Sequence, residues 1–272
     1  MIIIDREKCI GCGLCVKDCV SKNIELVDGK AIVKNAACIK CGHCIAVCPQ
    51  KTVFIDEYSM DDVTEYDRNS FAIEPEQLLH FIQFRRSVRH FNKQPIEDEK
   101  LLRIIEAGRF TATAGNRQNI SYIVVRESIP QLRRLALERL SEIEQTAILQ
   151  LQRDPSLVSY EKKWTNMYKS DMEQSGKNDE LFYNASALLL IIADSTVDAA
   201  LAASNMELMT VAQGLGTFYC GFFVNSSQSN SKISNLLGLT DLQKIKACLV
   251  LGYSDITYLR TVPRKAAEIY WK

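Results

Sequence analysis

Two cysteine runs near the start of this chain constrain its fold more than any other feature. Cys9, Cys12, Cys15 and Cys19 follow the spacing C-x2-C-x2-C-x3-C, and Cys38, Cys41, Cys44 and Cys48 repeat it. Three thiolates two residues apart converge from one tight loop, which suits a cubane iron–sulfur cluster. Gly11, Gly13 and Gly42 lie inside the runs. Without a Cβ they are expected to let backbone approach the inorganic sulfides and donate N–H bonds to them. Structural zinc prefers two separated pairs of ligands. Disulfides need an oxidising compartment, whereas Asp5-Arg6-Glu7-Lys8 follows Ile2–Ile4 at once and speaks against a secretory leader. Reduced, cluster-bound cysteines in a cytoplasmic protein are the expectation.

These residues resemble the two-cluster bacterial ferredoxin module, over about residues 1–58. In that module the fourth cysteine of each run serves the other cluster. The resemblance therefore implies one [4Fe–4S] cluster on Cys9, Cys12, Cys15 and Cys48, and a second on Cys38, Cys41, Cys44 and Cys19. Pro49 closes the second run, where the first has Val20. Around the runs, the pattern predicts strands over Ile2–Ile4 and Thr52–Ile55. It predicts a hairpin over Asn23–Lys34 that turns at Asp28-Gly29. So small a module buries little core and is stapled by its clusters.

The chain has 272 residues, enough for a second domain with its own core. Its 33 basic and 33 acidic side chains balance, leaving no electrostatic footprint for nucleic acid. No apolar run reaches membrane-spanning length. The acidic, polar stretch Asp56–Asn69 reads as a linker, so that 59–80 holds linker and first helix and 81–272 the second domain. Cys220 and Cys248 sit in apolar stretches as packing residues.

The second domain opens with a helix from Pro75, its apolar stripe formed by Leu78, Leu79, Ile82 and Phe84. Arg85, Arg86, Ser87 and Arg89 follow. Three guanidinium groups and a hydroxyl in five residues can engage a phosphate; a solvated basic helix end is the alternative. A helix is predicted over Pro95–Arg109 with Glu97, Asp98 and Glu99 in its first turn. Ala112-Thr113-Ala114-Gly115-Asn116-Arg117-Gln118-Asn119 then forms a polar loop before a strand over Tyr122–Val125. Asp198–Gln213 is an Ala-, Leu- and Met-rich helix stopped by Gly214-Leu215-Gly216.

The run R-R-S-V-R-x-F, followed by a small-residue loop ending in G-N-R-Q, resembles the FMN-dependent nitroreductase family. Phe218-Tyr219-Cys220-Gly221-Phe222-Phe223, the last strand from Cys248 to Tyr253, and Arg264-Lys265 extend the resemblance over about 81–272. Where the family has Pro-Ser, this chain has Ala112-Thr113; where it has Pro after the Gln, this chain has Asn119. The resemblance implies an α+β fold: a ferredoxin-like β/α module fused to a nitroreductase-like α/β sandwich, in an intertwined homodimer with FMN at the interface. It implies that Arg85, Arg86, Ser87, Arg89, Arg264 and Lys265 hold the FMN phosphate, ribityl and pyrimidine edge. Thr113, Asn116 and Gln118 would reach the flavin of the other subunit. Backbone N–H groups near Cys220 and Gly221 would approach its N5. The stretch 141–181 reads as a helical insert broken at Asp154-Pro155 and Ser175-Gly176. It is either a cover for the flavin or a dimer-wrapping hairpin. Among its aromatic residues Tyr160, Trp164 and Tyr168, the last two are one helical turn apart and are expected to stack on a planar substrate or to serve the core.

No acid/base constellation stands out. His43 is a neighbour of a cluster, and His80 and His90 are surface or packing residues. The function expected is an oxidoreductase moving electrons between an external carrier, two [4Fe–4S] clusters and FMN. Ferredoxin or NAD(P)H would donate, and a nitroaromatic, quinone or activated alkene would accept. The alternative is a non-enzymatic electron-transfer or redox-sensing protein.

Overall fold

The computed structural model describes residues 1–34, 38–150, 158–174 and 179–272, and the side chains within them except 147–150, 158–163 and 174. The expected breaks at Asp154-Pro155 and Ser175-Gly176 lie outside the described residues, as does the side chain of Tyr160. The chain forms two compact units. One is Met1–Glu74 with Thr113–Arg117, and the other is Pro75–Ala112 with Gln118–Lys272.

The first unit runs β1 (Ile2–Ile4), α1 (Leu14–Asp18), β2 (Ile24–Val27), β3 (Lys30–Val33), α2 (His43–Ala46) and β4 (Val53–Ile55). β1 pairs antiparallel with β4, and β2 with β3. Asp28 and Gly29 both have left-handed φ, 51° and 72°, as the mirror-image hairpin turn requires. Each cysteine run enters its short helix through a left-handed glycine, Gly13 before α1 and Gly42 before α2, so the two halves repeat one local design. Cys9, Cys15 and Cys44 belong to a small core with Ile2, Ile24, Ala31, Val53 and Ile55. The expected linker contains a 3-10 turn at Met60–Asp62 and a helical turn, α3 (Arg68–Phe71). Asp67 caps α3 by accepting from the N–H groups of Asn69 and Ser70.

In the second unit α4 (Pro75–Phe84) comes first and buries none of its residues. α5 spans Asp98–Arg109, three residues shorter at its start than the sequence pattern suggests. Glu97 stays extended outside the first turn, because its carboxylate accepts the Tyr253 hydroxyl at 2.6 Å. β5 (Ser121–Val125), α6 (Ile129–Gln150), α7 (Val158–Gln174), β6 (Ala187–Ile192), α8 (Thr196–Ala212), β7 (Gly216–Tyr219), α9 (Gly221–Ser227), α10 (Ser231–Leu236) and β8 (Ile245–Gly252) complete it. α8 starts two residues before Asp198, where Ser195 Oγ accepts the Asp198 N–H and caps it.

The four strands form one antiparallel sheet ordered β5-β6-β8-β7. β6 is buried on both faces. Leu188, Leu190 and Ile192 pack with α6 and α9, and Ala187, Leu189 and Ile191 with α5 and α8. The unit is thus a sheet between two helical layers. After β8 the chain runs exposed and without regular structure to Lys272, carrying Leu259, Tyr270 and Trp271 bare.

Candidate functional site

The first unit brings cysteines of both runs together. Cys9, Cys12 and Cys15 share one cavity with Cys48, Pro49, Thr52 and Val53. These four cysteines are the set that the ferredoxin resemblance implies for one cluster. Among the described residues no three His, Cys, Asp or Glu side chains converge as ligands of a single ion would; these four thiols instead line one cavity.

Several sulfurs accept hydrogen bonds from backbone N–H groups, as cluster thiolates do. Ala31 N–H meets Cys9 Sγ at 3.4 Å, Thr52 N–H meets Cys48 Sγ at 3.4 Å, and Thr52 Oγ1 lies 3.2 Å from that sulfur. In the second set, Asn23 N–H meets Cys19 Sγ and Lys40 N–H meets Cys38 Sγ, both at 3.3 Å. Burial pushes Cys44 up to about 11. Burial also acts to raise Cys48, but bonds from the Thr52 side chain and backbone outweigh it and the thiol falls below its ordinary value.

Gly11, Gly13 and Gly42 each need a left-handed φ. At Gly11, however, a Cβ would lie 1.9 Å from the Gly29 carbonyl oxygen. Its side chain is missing to admit the hairpin turn.

In the second unit the basic run is laid along the sheet. Val88 N–H donates to Thr217 O, Ser87 bridges Thr217, and Asn92 N–H donates to Tyr253 O. Two glycines opposite each other in the β7–β8 register, Gly216 and Gly252, make room. A Cβ on the first would meet Val88 at 2.8 Å, and one on the second would meet the Phe91 ring at 2.6 Å.

The arginines then separate. Arg85 Nη1 donates to Glu207 Oε1 of α8 at 2.9 Å. Arg86 Nη1 donates to the carbonyls of Gln83 and Arg85, while its Nε and Nη2 are buried with no partner. Arg89 lies over the Phe218 ring, 5.0 Å from its centroid, and Phe91 and Tyr183 pack on the same ring. Ser87 is exposed, and the hydroxyl of Thr217 beside it is buried and unpartnered. Two buried guanidinium nitrogens without acceptors, on the residue before a serine, suit an oxyanion such as a phosphate.

Cys220 does not offer what was expected of it. Its N–H donates to Cys248 O at 2.9 Å, and its thiol is buried against the Leu181 carbonyl. Burial pushes that thiol up to about 12. Gly221, by contrast, is exposed, and a Cβ there would touch nothing. Arg264 and Lys265 lie in the exposed final segment. Thr113 and Asn116 belong to the first unit and Gln118 to the second. Asn116 Nδ2 donates to the carbonyls of Ile39 and Lys40, both at 3.0 Å.

Glu207 went unnoticed in the sequence; the signal was the one acid of α8 beyond its first turn. Burial raises its carboxyl above the ordinary value against the pull of Arg85. In the insert, Trp164 and Tyr168 pack against the core, with Trp164 edge-on to Phe222. Arg133 ties the α6–α7 pair together by bonding Asp171 at 2.8 Å.

The nitroreductase family model matches residues 82–253, and the 4Fe-4S dicluster domain matches residues 1–63. No curated protein matches the chain. A nitroreductase with bound FMN from Desulfitobacterium hafniense is 23% identical, with TM-score 0.53, and the match covers 71% of this chain and 97% of that one. One from Bacteroides fragilis, also with bound FMN, is 21% identical with TM-score 0.52, over 71% and 97%. A BluB-like flavoprotein from Clostridium difficile is 18% identical with TM-score 0.53, over 72% and 96%. At such identities the likeness is one of fold.

Proposed function

Since the chain belongs to the nitroreductase family, we propose that it is an FMN-dependent oxidoreductase fed through two [4Fe–4S] clusters in its cysteine-rich unit. The observation that carries the reading is the cavity shared by Cys9, Cys12, Cys15 and Cys48, in a chain whose remainder has the nitroreductase fold. When bound, FMN takes electrons singly and gives them in pairs, which is the reason to join it to one-electron carriers.

The residues divide the work as follows. Arg86, whose Nε and Nη2 lack acceptors, binds the FMN phosphate with Ser87 and Arg89. Glu207 neutralises Arg85 and fixes it against α8. Gly221 leaves space for a ring to approach the backbone. The acceptor is a small planar electrophile: a nitroaromatic, a quinone or an activated alkene. The donor is a reduced ferredoxin or NAD(P)H.

The working form is a homodimer. Leu78, Leu79, Ile82 and Phe84 of α4 are each between 42% and 46% exposed, and Trp271 in the final segment is 92% exposed. Apolar surface of that extent is what a second copy would cover. In that dimer Arg264 and Lys265 reach the phosphate, and Thr113 and Gln118 the flavin of the partner, while Asn116, expected with them, spends its Nδ2 on the Ile39 and Lys40 carbonyls. Anaerobic purification tests the whole: about eight irons, four per cubane, and one FMN per chain are expected. Absence of either group overturns the reading.

A further inference from the structure

We propose that Asn116 is a positioning residue for the second cluster, clamping the loop that carries Cys38 and Cys41. The inference rests on the two-cluster reading above.

Asn116 Nδ2 donates to two consecutive carbonyls, Ile39 O and Lys40 O, each at 3.0 Å. Both peptides lie between Cys38 and Cys41. A trans peptide is planar, and its C=O and N–H point in opposite directions. Fixing the Ile39 oxygen therefore turns the Lys40 N–H away from Asn116, and it meets Cys38 Sγ at 3.3 Å. Fixing the Lys40 oxygen aims the Cys41 N–H to the side away from the clamp in the same manner.

The loop needs holding. Lys40 has a left-handed φ of 52°, which a side chain with a Cβ adopts at a cost. Asn116 is half-buried and itself left-handed, at φ 52°. N–H groups aimed at thiolates favour the more negative, reduced state of a cluster and help retain it. Asn116 would thus act on the second cluster without being a ligand.

The test uses the full chain, cluster-loaded and anaerobic. Asn116→Asp keeps the shape and removes both donors; Asn116→Ala removes the side chain. Iron release to a chelator is followed in each, with the electron paramagnetic resonance signals of the reduced protein. Loss of half the iron should quicken by about tenfold, the lower end of the usual effect of such outer partners. One of two reduced-cluster signals should shift while the other stays. Unchanged release, or equal quickening of all the iron, in a protein whose parent holds about eight irons overturns the inference alone. A parent with half that iron or none overturns the two-cluster reading and the inference with it.

Discussion

Arg85 and Glu207 are joined by a 2.9 Å hydrogen bond that fastens the basic run to the middle of α8. The next residue has the opposite fate, since Arg86 keeps Nε and Nη2 buried and unpartnered. Of two consecutive arginines, one is neutralised within the protein and the other is left ready for an anion.

Replacing Arg86 by methionine should therefore separate binding from folding. Charge-assisted hydrogen bonds contribute roughly 1.5–3 kcal/mol, so FMN affinity should fall by at least about tenfold. The melting temperature of flavin-free protein should change little, because the two bonds of Nη1 are lost together with two buried unpaired nitrogens. Flavin fluorescence titration and thermal melts measure the two. Undiminished affinity would remove Arg86 from the phosphate site.

Glu207 gives a pH dependence of definite sign. Its carboxyl is raised above the ordinary 4.5, chiefly by burial. The folded state thus holds the proton more tightly than the unfolded one. The contribution to stability is fully present below 4.5 and is lost as pH rises through the raised value. Glu207→Gln should lack this slope, so the urea midpoint of the parent should drop relative to the variant as pH rises. A difference independent of pH would contradict the assignment.

Gly11 and Gly42 should respond differently to alanine, although both have left-handed φ. Alanine at 42 meets nothing and incurs only the backbone strain, about 1–2 kcal/mol. At 11 it also strikes the Gly29 carbonyl and must push the hairpin turn away from the first cysteine run. Reconstituted iron content should fall further in Gly11→Ala than in Gly42→Ala; equal losses would mean that the turn contact is unimportant.

Much of this arrangement was legible in the residues. Asp28-Gly29 announced its hairpin because few dipeptides accept two left-handed φ values. The cysteine spacing put Cys9, Cys12 and Cys15 on one tight loop, and the structure sets Cys48 of the other run beside them in one cavity. The central strand Ala187–Ile192 was missed because burial on both faces erases the alternation that marks a strand. Glu97 was assigned to a helix turn because its tie to Tyr253 spans distant sequence. The grouping of Thr113–Arg117 with the cysteine-rich unit rests on tertiary contacts that no local pattern encodes. The divergent fates of Arg85 and Arg86 likewise depend on which of them meets Glu207.

Thr52 should tune the first cluster. Its hydroxyl lies 3.2 Å from Cys48 Sγ, and its N–H, which valine would keep, lies 3.4 Å away. Thr52→Val removes one donor to a ligand sulfur, and the reduced cluster carries the extra negative charge. Its midpoint potential should become more negative in anaerobic titration. An unchanged or more positive value would contradict the hydrogen bond.

The central claim is that electrons reach the flavin through the cysteine-rich unit, and rapid anaerobic mixing tests it most directly. Flavin bleaching would be followed in the parent and in a Cys38→Ser variant, with reduced ferredoxin and separately with NADH. Fast bleaching by ferredoxin in the parent, sharply slowed in the variant, is expected. Bleaching by NADH at one rate in both proteins, with ferredoxin inactive, would contradict it.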